Sequence, residues 1–154
     1  MLLRGYQAGD LEAMYALDVA CFEKPFRFTR GAMRRFAEAK KARVVIAEEG
    51  DVLVGFVILH IEEAKEGRVG YIITLDVAPE LRRRGIAGVL MTEAARQAQV
   101  DGCAVLVLHV FTGNEAAIRC YAGTGVVRSH RAEGFYGPGV DAWVYHKPLL
   151  SLND

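Results

Sequence analysis

The segment from residue 75 to 99 combines residue types that suit binding of a phosphate group. Three consecutive arginines, Arg82, Arg83 and Arg84, are followed by Gly85 and stand between a strand-like run and an apolar helical repeat. The first N–H groups of a helix lack internal partners and attract anions. Arginines beside them bind phosphate oxygens, and glycine lets a ligand approach the backbone. The spacing predicts a pyrophosphate site, with a solvated basic surface as the alternative.

The residues after this loop predict a helix that opens directly onto it. Ala87 and Gly88 keep the first turn small, which suits close contact between the backbone and a ligand. Apolar residues then recur at helical spacing and predict one buried face, made of Ile86, Val89, Leu90, Ala94 and Ala98.

The loop also carries a known signature. Arg82-x-x-Gly85-x-Ala87 resembles the Arg/Gln-x-x-Gly-x-Gly/Ala motif of the GNAT superfamily of N-acetyltransferases. The resemblance implies that the loop, from Arg82 to Gly88, binds the pyrophosphate of acetyl-CoA. Neither a Walker loop nor the dinucleotide glycine pattern fits this sequence. Acetyl-CoA is therefore the expected cosubstrate, and no metal is expected.

A second motif lies about thirty residues downstream of the first. Asn114-x-x-Ala117-x-x-x-Tyr121 resembles a helix of the same superfamily. The resemblance implies that Asn114 contacts the pantetheine arm and that Tyr121 protonates the departing CoA sulfur. A phenol of pKa about 10 can protonate a thiolate whose ordinary pKa is about 8.5. From the residues alone, Asn114 is equally a helix cap and Tyr121 equally a core aromatic.

The strand before the arginine loop has an expected role in the same resemblance. In the superfamily a bulge separates this strand from the next and exposes backbone groups that pair with pantetheine. Leu75 and Val77 occupy those positions here, and an N–H near Val77 would polarise the acetyl carbonyl. Asp76 lies between them, points to the opposite face of the strand and is interpreted as structural.

The C-terminal part of the chain suggests the acceptor. Phe135-Tyr136 followed by Asp141-Ala142 resembles a segment of the ribosomal-protein alanine N-acetyltransferases and related N-terminal acetylases. The resemblance implies that Tyr136, together with Phe26 from the first inter-helix loop, holds the first residues of a peptide. From the residues alone, the aromatic loop around Phe26 is equally a buried anchor.

His109 departs from the family pattern. It stands where the bacterial members carry a glutamate that takes the amine proton. One interpretation is a structural histidine at a strand end, and the other is an imidazole base. At pH 7.5 an α-amine is roughly one-third neutral and a lysine about 0.1% neutral, so a modest base suits an α-amine better.

Composition limits the classes of function. The 154 residues carry 19 basic and 19 acidic side chains, which gives no sign of nucleic-acid or anionic-membrane binding. Three cysteines without CxxC spacing suggest neither a disulfide framework nor zinc. No signal peptide and no membrane span are expected. The sequence favours a cytoplasmic protein, either a monomer or a homodimer.

The order of predicted elements, β-α-α-β-β-β-α-β-α-β-β, matches that superfamily over nearly the whole chain. The expected fold is a single-domain α/β GNAT fold over residues 1–154, with a mixed sheet of about six or seven strands and about four helices. Helix caps are expected at Asp10, Thr29 and Thr112. The predicted strands are Leu2–Tyr6, Arg43–Glu48, Val52–Ile61, Arg68–Val77, Ala104–Val110, Val126–His130 and Asp141–Lys147, with a loop at Ala132–Gly139.

Together these features favour transfer of an acetyl group from acetyl-CoA to a primary amine by direct attack. The sequence favours the N-terminal α-amine of a protein or peptide as the acceptor. Two alternatives remain: a small-molecule amine acetyltransferase, and a non-catalytic sensor that binds acyl-CoA without turnover.

Overall fold

The computed structural model describes residues 1–149. These residues form seven β-strands and four α-helices in the predicted order, so the predicted α/β class is confirmed. The elements are β1 (Leu2–Gly5), α1 (Leu11–Cys21), α2 (Arg30–Glu38), β2 (Ala42–Glu49), β3 (Val52–Ala64), β4 (Gly67–Val77), α3 (Ile86–Val100), β5 (Cys103–Phe111), α4 (Glu115–Ala122), β6 (Val127–Gly137) and β7 (Val140–Pro148).

The seven strands form one mixed sheet with the order β1-β2-β3-β4-β5-β7-β6. β4 and β5 pair in parallel, and the helix α3 provides the crossover that a parallel pair requires. The pairs β1–β2, β2–β3, β5–β7 and β6–β7 are antiparallel. Strand β6 therefore forms one edge of the sheet.

The chain divides into two compact units. The first comprises Met1–His60 and Ile73–Ala94. Its core packs Met14 of α1 and Met33 of α2 against the sheet residues Ile46, Phe56 and Ile58, with all five side chains withdrawn from solvent. Burial of large apolar side chains of this kind contributes about 1.5–3 kcal/mol for each one. This core fixes α1 and α2 on β2 and β3.

The second unit comprises Ile61–Ile72 and the described residues from Ala95 onward. Strand β5 buries Leu106, Leu108 and Val110, and alternate residues between them are half-buried. The continuous apolar run predicted a strand buried on both faces, whereas burial follows the two-residue period of a strand with one better-covered face.

Two predicted features of the helices are wrong. Val89 is 40% exposed, because at 100° per residue it lies opposite the buried Met91 and Ala95. Asp10 precedes α1 without capping it, since its carboxylate instead binds the Arg4 guanidinium at 2.6 and 2.8 Å. Thr29 does cap α2 as expected, accepting the Ala32 N–H at 3.1 Å.

Two further corrections concern the C-terminal half. The predicted loop Ala132–Gly139 belongs mostly to β6, whose pairing with β7 is irregular between Ala132 and Gly137. Such a bulge inserts extra residues without ending the strand. The cap of α4 is Asn114 and not Thr112, because α4 begins at Glu115 and the Asn114 side chain accepts the Ala117 N–H.

Candidate functional site

The loop between β4 and α3 has the geometry expected of an anion-binding turn. A 3₁₀ turn at Pro79–Leu81 follows β4, and α3 begins at Ile86. Gly85 has a φ of 80°, and a Cβ built there would meet no atom within 4 Å. Open space beside a left-handed backbone leaves the amide region accessible to a ligand.

The three arginines are exposed, and two of them have partners within the first unit. Arg84 Nη2 lies 3.5 Å from Glu49 Oε1. The Arg82 side chain hydrogen-bonds Cys21. Arg83 has the left-handed φ of 70°. The next residues are Ile86, which is buried, and Ala87 and Gly88, which are half-buried. The loop therefore combines surface cations with a small, accessible backbone.

The end of β4 is more enclosed than this loop. Leu75 and Val77 are 8% and 7% exposed, and the Cys21 thiol donates to the Val77 carbonyl at 3.3 Å. The irregularity in the β4–β5 pairing lies between Arg68 and Val69, upstream of the position expected for the bulge. The last residue pair of that ladder, Tyr71–Val107, still precedes Leu75, so the strand continues beyond the ladder. Phe26 lies half-buried in the loop that joins α1 to α2.

A tyrosine–histidine pair is the chemically most distinctive feature of the second unit. Tyr71 Oη on β4 lies 2.6 Å from His109 Nδ1 on β5. The ring of Phe135 stacks on the imidazole, with ring centroids 3.9 Å apart and planes inclined by 7°. Sequence analysis singled out His109 and missed Tyr71. The only signal for Tyr71 in the sequence is a polar aromatic residue within an apolar strand. The sequence does not state the parallel strand register that brings Tyr71 to His109.

Burial determines the protonation of this pair. It raises the pKa of Tyr71 to about 12, with a smaller effect from Tyr136. Burial, with a smaller effect from His130, lowers the pKa of His109 below 6.5. Both groups are therefore neutral at pH 7. A neutral phenol both donates and accepts a hydrogen bond, so Tyr71 can relay a proton towards His109.

Strand β6 brings Tyr136 and Phe135 beside this pair. The rings of Phe135 and Tyr136 meet edge to face at 4.9 Å, and burial raises the pKa of Tyr136 to about 12. Asp141 supports the bulge that carries them: its carboxylate accepts the Gly134 N–H at 2.8 Å and the Arg131 guanidinium at 2.6 Å. Tyr136, the residue predicted to contact the acceptor peptide, therefore lies in the same aromatic cluster as His109.

Helix α4 presents the other two predicted residues of the second unit. Asn114 Oδ1 accepts the Ala117 N–H at 3.0 Å, which is an N-cap. Tyr121 is 8% exposed, and its ring centroid lies 6.2 Å from that of Tyr145. Asn114 is therefore a cap whose side-chain NH₂ group remains available for a second role, and Tyr121 packs as a core aromatic with a polar end.

Asn114 allows a direct test of these two roles. Asn114→Ala is expected to lower the free energy of unfolding by about 1 kcal/mol, because the cap is lost. Asn114→Asp keeps an accepting oxygen and should leave stability near that of the native chain, while removing the NH₂ donors. Urea unfolding of both variants measures the cap. Equal destabilisation by alanine and aspartate would contradict it.

Within residues 1–149, no helix is both long and apolar enough to cross a bilayer. Over the same residues, no group of three or more histidine, cysteine, aspartate or glutamate side chains is placed to hold a metal ion.

Comparison with known proteins gives a consistent picture. The family model described as Acetyltransferase (GNAT) family matches residues 11–125. N-alpha-acetyltransferase 60 of Xenopus tropicalis is 33% identical over 124 residues, covering 76% of this chain and 47% of that protein. The chain spans about half or less of the length of the first curated relatives that it matches.

Solved structures agree in fold. Arabidopsis thaliana NAA60 in complex with a bisubstrate analogue aligns with a TM-score of 0.82 and 26% identity, covering 96% of this chain and 97% of that one. The ribosomal-protein-S18-alanine N-acetyltransferase from Escherichia coli aligns with a TM-score of 0.80 over 98% of this chain and 94% of that one, and its 18% identity shows likeness of fold alone. Because the family model covers more than half of its residues, the chain belongs to the Acetyltransferase (GNAT) family.

Proposed function

We propose that the chain is an N-α-acetyltransferase, which moves an acetyl group from acetyl-CoA to the N-terminal α-amine of a protein or peptide. Its sequence relatives include N-alpha-acetyltransferases, and the similar NAA60 structures hold a bisubstrate analogue or acetyl-CoA. The observation that carries the proposal is the 2.6 Å contact between Tyr71 and His109 under the Phe135 ring. This pair supplies the base that acetylation of an amine requires.

The first unit would bind the cosubstrate. The backbone of Gly85, Ile86, Ala87 and Gly88 would hold the pyrophosphate, aided by the charges of Arg82, Arg83 and Arg84. The open space at Gly85 and Gly88 fits this role, since a Cβ at either position would meet no atom within 4 Å. The backbone at Leu75 and Val77 would pair with the pantetheine amides, and an N–H there would polarise the thioester carbonyl. No metal is needed for these contacts.

The second unit would move the protons. As the amine nitrogen forms its bond to the acetyl carbon, one N–H proton passes to Tyr71 Oη, and the phenolic proton passes to His109 Nδ1. The amide product forms, the carbon–sulfur bond breaks, and the sulfur leaves with its electron pair. Tyr121 would donate a proton to that sulfur, while the Asn114 NH₂ group would hold the pantetheine arm.

The acceptor would be held by aromatic side chains. Tyr136 and Phe26 would contact the first residues of the peptide, and Phe135 covers one face of the imidazole. We further propose that residues 1–154 act as one N-acetyltransferase domain in the cytoplasm, as a monomer or homodimer, with peptides as partners and without nucleic acid or membrane.

The test uses short peptides that begin with Ala, Ser or Met, each with a free or a blocked α-amine and one internal lysine. Release of CoA thiol is expected with free α-amines and not with blocked ones. At pH 7.5 the neutral fractions of the two amines favour the α-amine about 10²-fold. Calorimetric titration with acetyl-CoA in the same samples measures binding independently of turnover.

Two results would contradict this function. Thiol release that persists with blocked peptides, or that requires small amines, would assign another acceptor. Binding of acetyl-CoA without release from any amine would identify an acyl-CoA sensor.

A further inference from the structure

Two neighbouring carboxyl groups lie buried in the first unit. Asp18 on α1 is 0% exposed, and Asp76 on β4 is 1% exposed. Asp18 Oδ2 accepts the Phe28 N–H at 2.8 Å, and Asp76 Oδ1 accepts the Thr74 hydroxyl at 2.5 Å. Within residues 1–149, Asp18 Oδ1 and Asp76 Oδ2 are the buried side-chain polar atoms that lack a conventional donor.

A proton shared between the two carboxyl groups would give both of these oxygen atoms a hydrogen-bond partner. The two carboxyl groups lie within hydrogen-bonding reach of each other, and two ionised carboxylates cannot form a hydrogen bond. A proton on Asp76 Oδ2 that is donated to Asp18 Oδ1 satisfies both oxygens. Burial of two unpaired charges would otherwise carry a large desolvation cost.

The surroundings place this proton on Asp76. Burial, followed by the neighbouring Asp18 carboxyl, raises the pKa of Asp76 well above its ordinary value. Burial also raises the pKa of Asp18, but the hydrogen bonds from Asp76 and from the Phe28 N–H, and the charge of Arg27, oppose that rise. Asp76 therefore keeps the proton, and Asp18 is the ionised partner.

The pair connects two segments to which the proposed function gives separate tasks. Asp76 lies between Leu75 and Val77 at the end of β4, the segment assigned to the acyl group. Asp18 holds the backbone of the loop that joins α1 to α2, the loop that carries Phe26.

We propose that Asp76 and Asp18 are a positioning pair, in which one shared proton fixes the acyl-binding end of β4 to the peptide-binding loop between α1 and α2. The inference rests on the proposed function for the tasks of those two segments, and the existence of the shared proton does not depend on it. We assign neither carboxyl group a contact with the reacting atoms, because both are withdrawn from solvent. The pair acts by holding the backbone that does.

The other titratable and charged groups near the pair are one thiol and two arginines. Burial raises the pKa of the Cys21 thiol to about 11, so that thiol is neutral. Arg27 faces Asp18 and Arg82 faces Asp76, and both are positive. Loss of the shared proton would leave two adjacent carboxylates and would separate β4 from α1.

The shared proton makes stability depend on pH in a defined direction. In the unfolded chain an aspartate has a pKa of about 3.9, so above that pH the folded state binds one more proton than the unfolded state. The pair therefore stabilises most below pH ~4, and its contribution is lost as pH rises through the raised pKa of Asp76. Over that interval the ratio of folded to unfolded protein falls about tenfold for each pH unit.

Asp76→Asn and Asp76→Ala test the pair. The asparagine NH₂ can donate to Asp18 Oδ1 as the acid does, but it does not titrate. We expect the stability of the native chain relative to Asp76→Asn, measured by urea unfolding, to fall as pH rises above ~4, by at most about tenfold in equilibrium constant for each pH unit, until Asp76 is ionised. The infrared carbonyl band of a buried protonated carboxylic acid should persist in the native chain above pH ~4, where a free aspartate is ionised, and should be absent in Asp76→Asn.

Positioning is read from the kinetics of the variants that remain folded. Asp76→Ala should raise KM for acetyl-CoA and for peptide and lower kcat/KM by about tenfold, whereas Asp76→Asn restores both. Asp141→Asn is a control in which the dependence of stability on pH should have the opposite sign. The Gly134 N–H and the Arg131 guanidinium lower the pKa of Asp141, so the contribution of this carboxylate to stability is lost as pH falls.

Two outcomes would overturn the inference. One is the absence of the protonated-acid band together with parallel unfolding curves for the native chain and Asp76→Asn. The other is native affinity for acetyl-CoA and native KM values in folded Asp76→Ala. If no peptide is acetylated at all, the proposed function fails, but the infrared, unfolding and acetyl-CoA binding experiments still decide on the pair.

Discussion

Tyr71→Phe and His109→Gln are each expected to lower kcat by about 10²-fold or more, with little change in acetyl-CoA affinity. The two side chains lie 2.6 Å apart and form one proton path. Removal of either end interrupts that path, so the double variant should lose about as much as each single variant. Steady-state kinetics of the three variants measures this non-additivity.

The pH dependence of kcat tests the same pair. Burial and His130 lower the pKa of His109 below 6.5, and a base works only when it is deprotonated. The native kcat should therefore hold from pH 8 to 7 and fall only at a pH below 6.5. In His109→Gln this acid limb should disappear. The kcat/KM profile keeps a further limb near pH ~7.8, where the free α-amine of the peptide titrates.

Matched controls separate proton transfer from loss of packing. Tyr6→Phe removes a phenol that donates to Glu38 at 2.6 Å in the first unit, and His146→Gln removes a half-buried histidine of β7. Both controls should keep native kcat. Fully additive losses, or native kcat in Tyr71→Phe, would contradict the relay and leave His109 as a structural histidine.

Gly85→Glu is expected to weaken acetyl-CoA binding by about 10²-fold, and Gly85→Ala by about tenfold. A Cβ at Gly85 would occupy the open space in which the phosphate reaches the backbone amides. Loss of one charge-assisted hydrogen bond there costs about 1.5–3 kcal/mol, and glutamate adds repulsion towards phosphate. Because a Cβ at Gly85 meets no atom within 4 Å, alanine there strains only the backbone, whose φ is 80°. Calorimetric titration with acetyl-CoA measures both affinities.

Gly102 provides the control for backbone strain. Its φ is 81°, nearly that of Gly85, and its Cβ would meet only the Arg68 guanidinium at 3.8 Å. Gly102→Ala and Gly85→Ala should therefore lose a similar free energy of unfolding, about 1–2 kcal/mol each. Only Gly85→Ala should lose affinity. Equal affinity in both alanine variants, with native affinity in Gly85→Glu, would refute the pyrophosphate site.

Local sequence patterns predict the elements of this fold correctly where those elements depend on interactions between residues close together in the chain. The apolar period of 3.6 residues identified α3, and Thr29 marked the start of α2, because helix periodicity and capping involve residues within one or two turns. The prediction that Val89 is buried is wrong, since the same period fits two overlapping helix faces and only packing against the sheet decides which of them is buried. The β6 bulge was read as a loop because Gly134 and Gly137 signal turns, while Asp141 holds this segment as a strand.

The pyrophosphate loop and its glycine could be predicted from the sequence because their residues are contiguous in the chain. The sequence by itself therefore determined the order of elements, the family signature at Arg82–Ala87 and the candidate residues His109 and Tyr121. Each of these depends on spacing along the chain, which the sequence states directly.

Only the tertiary structure decided which of these residues meet. The parallel register of β4 with β5 places Tyr71 against His109, although 38 positions separate them. The packing of α1 against β4 brings Asp18 to Asp76, and neither residue carried a functional signal in the sequence. Strand register and helix packing are set by burial of whole apolar faces, so contacts between distant residues follow from the folded core and not from local spacing.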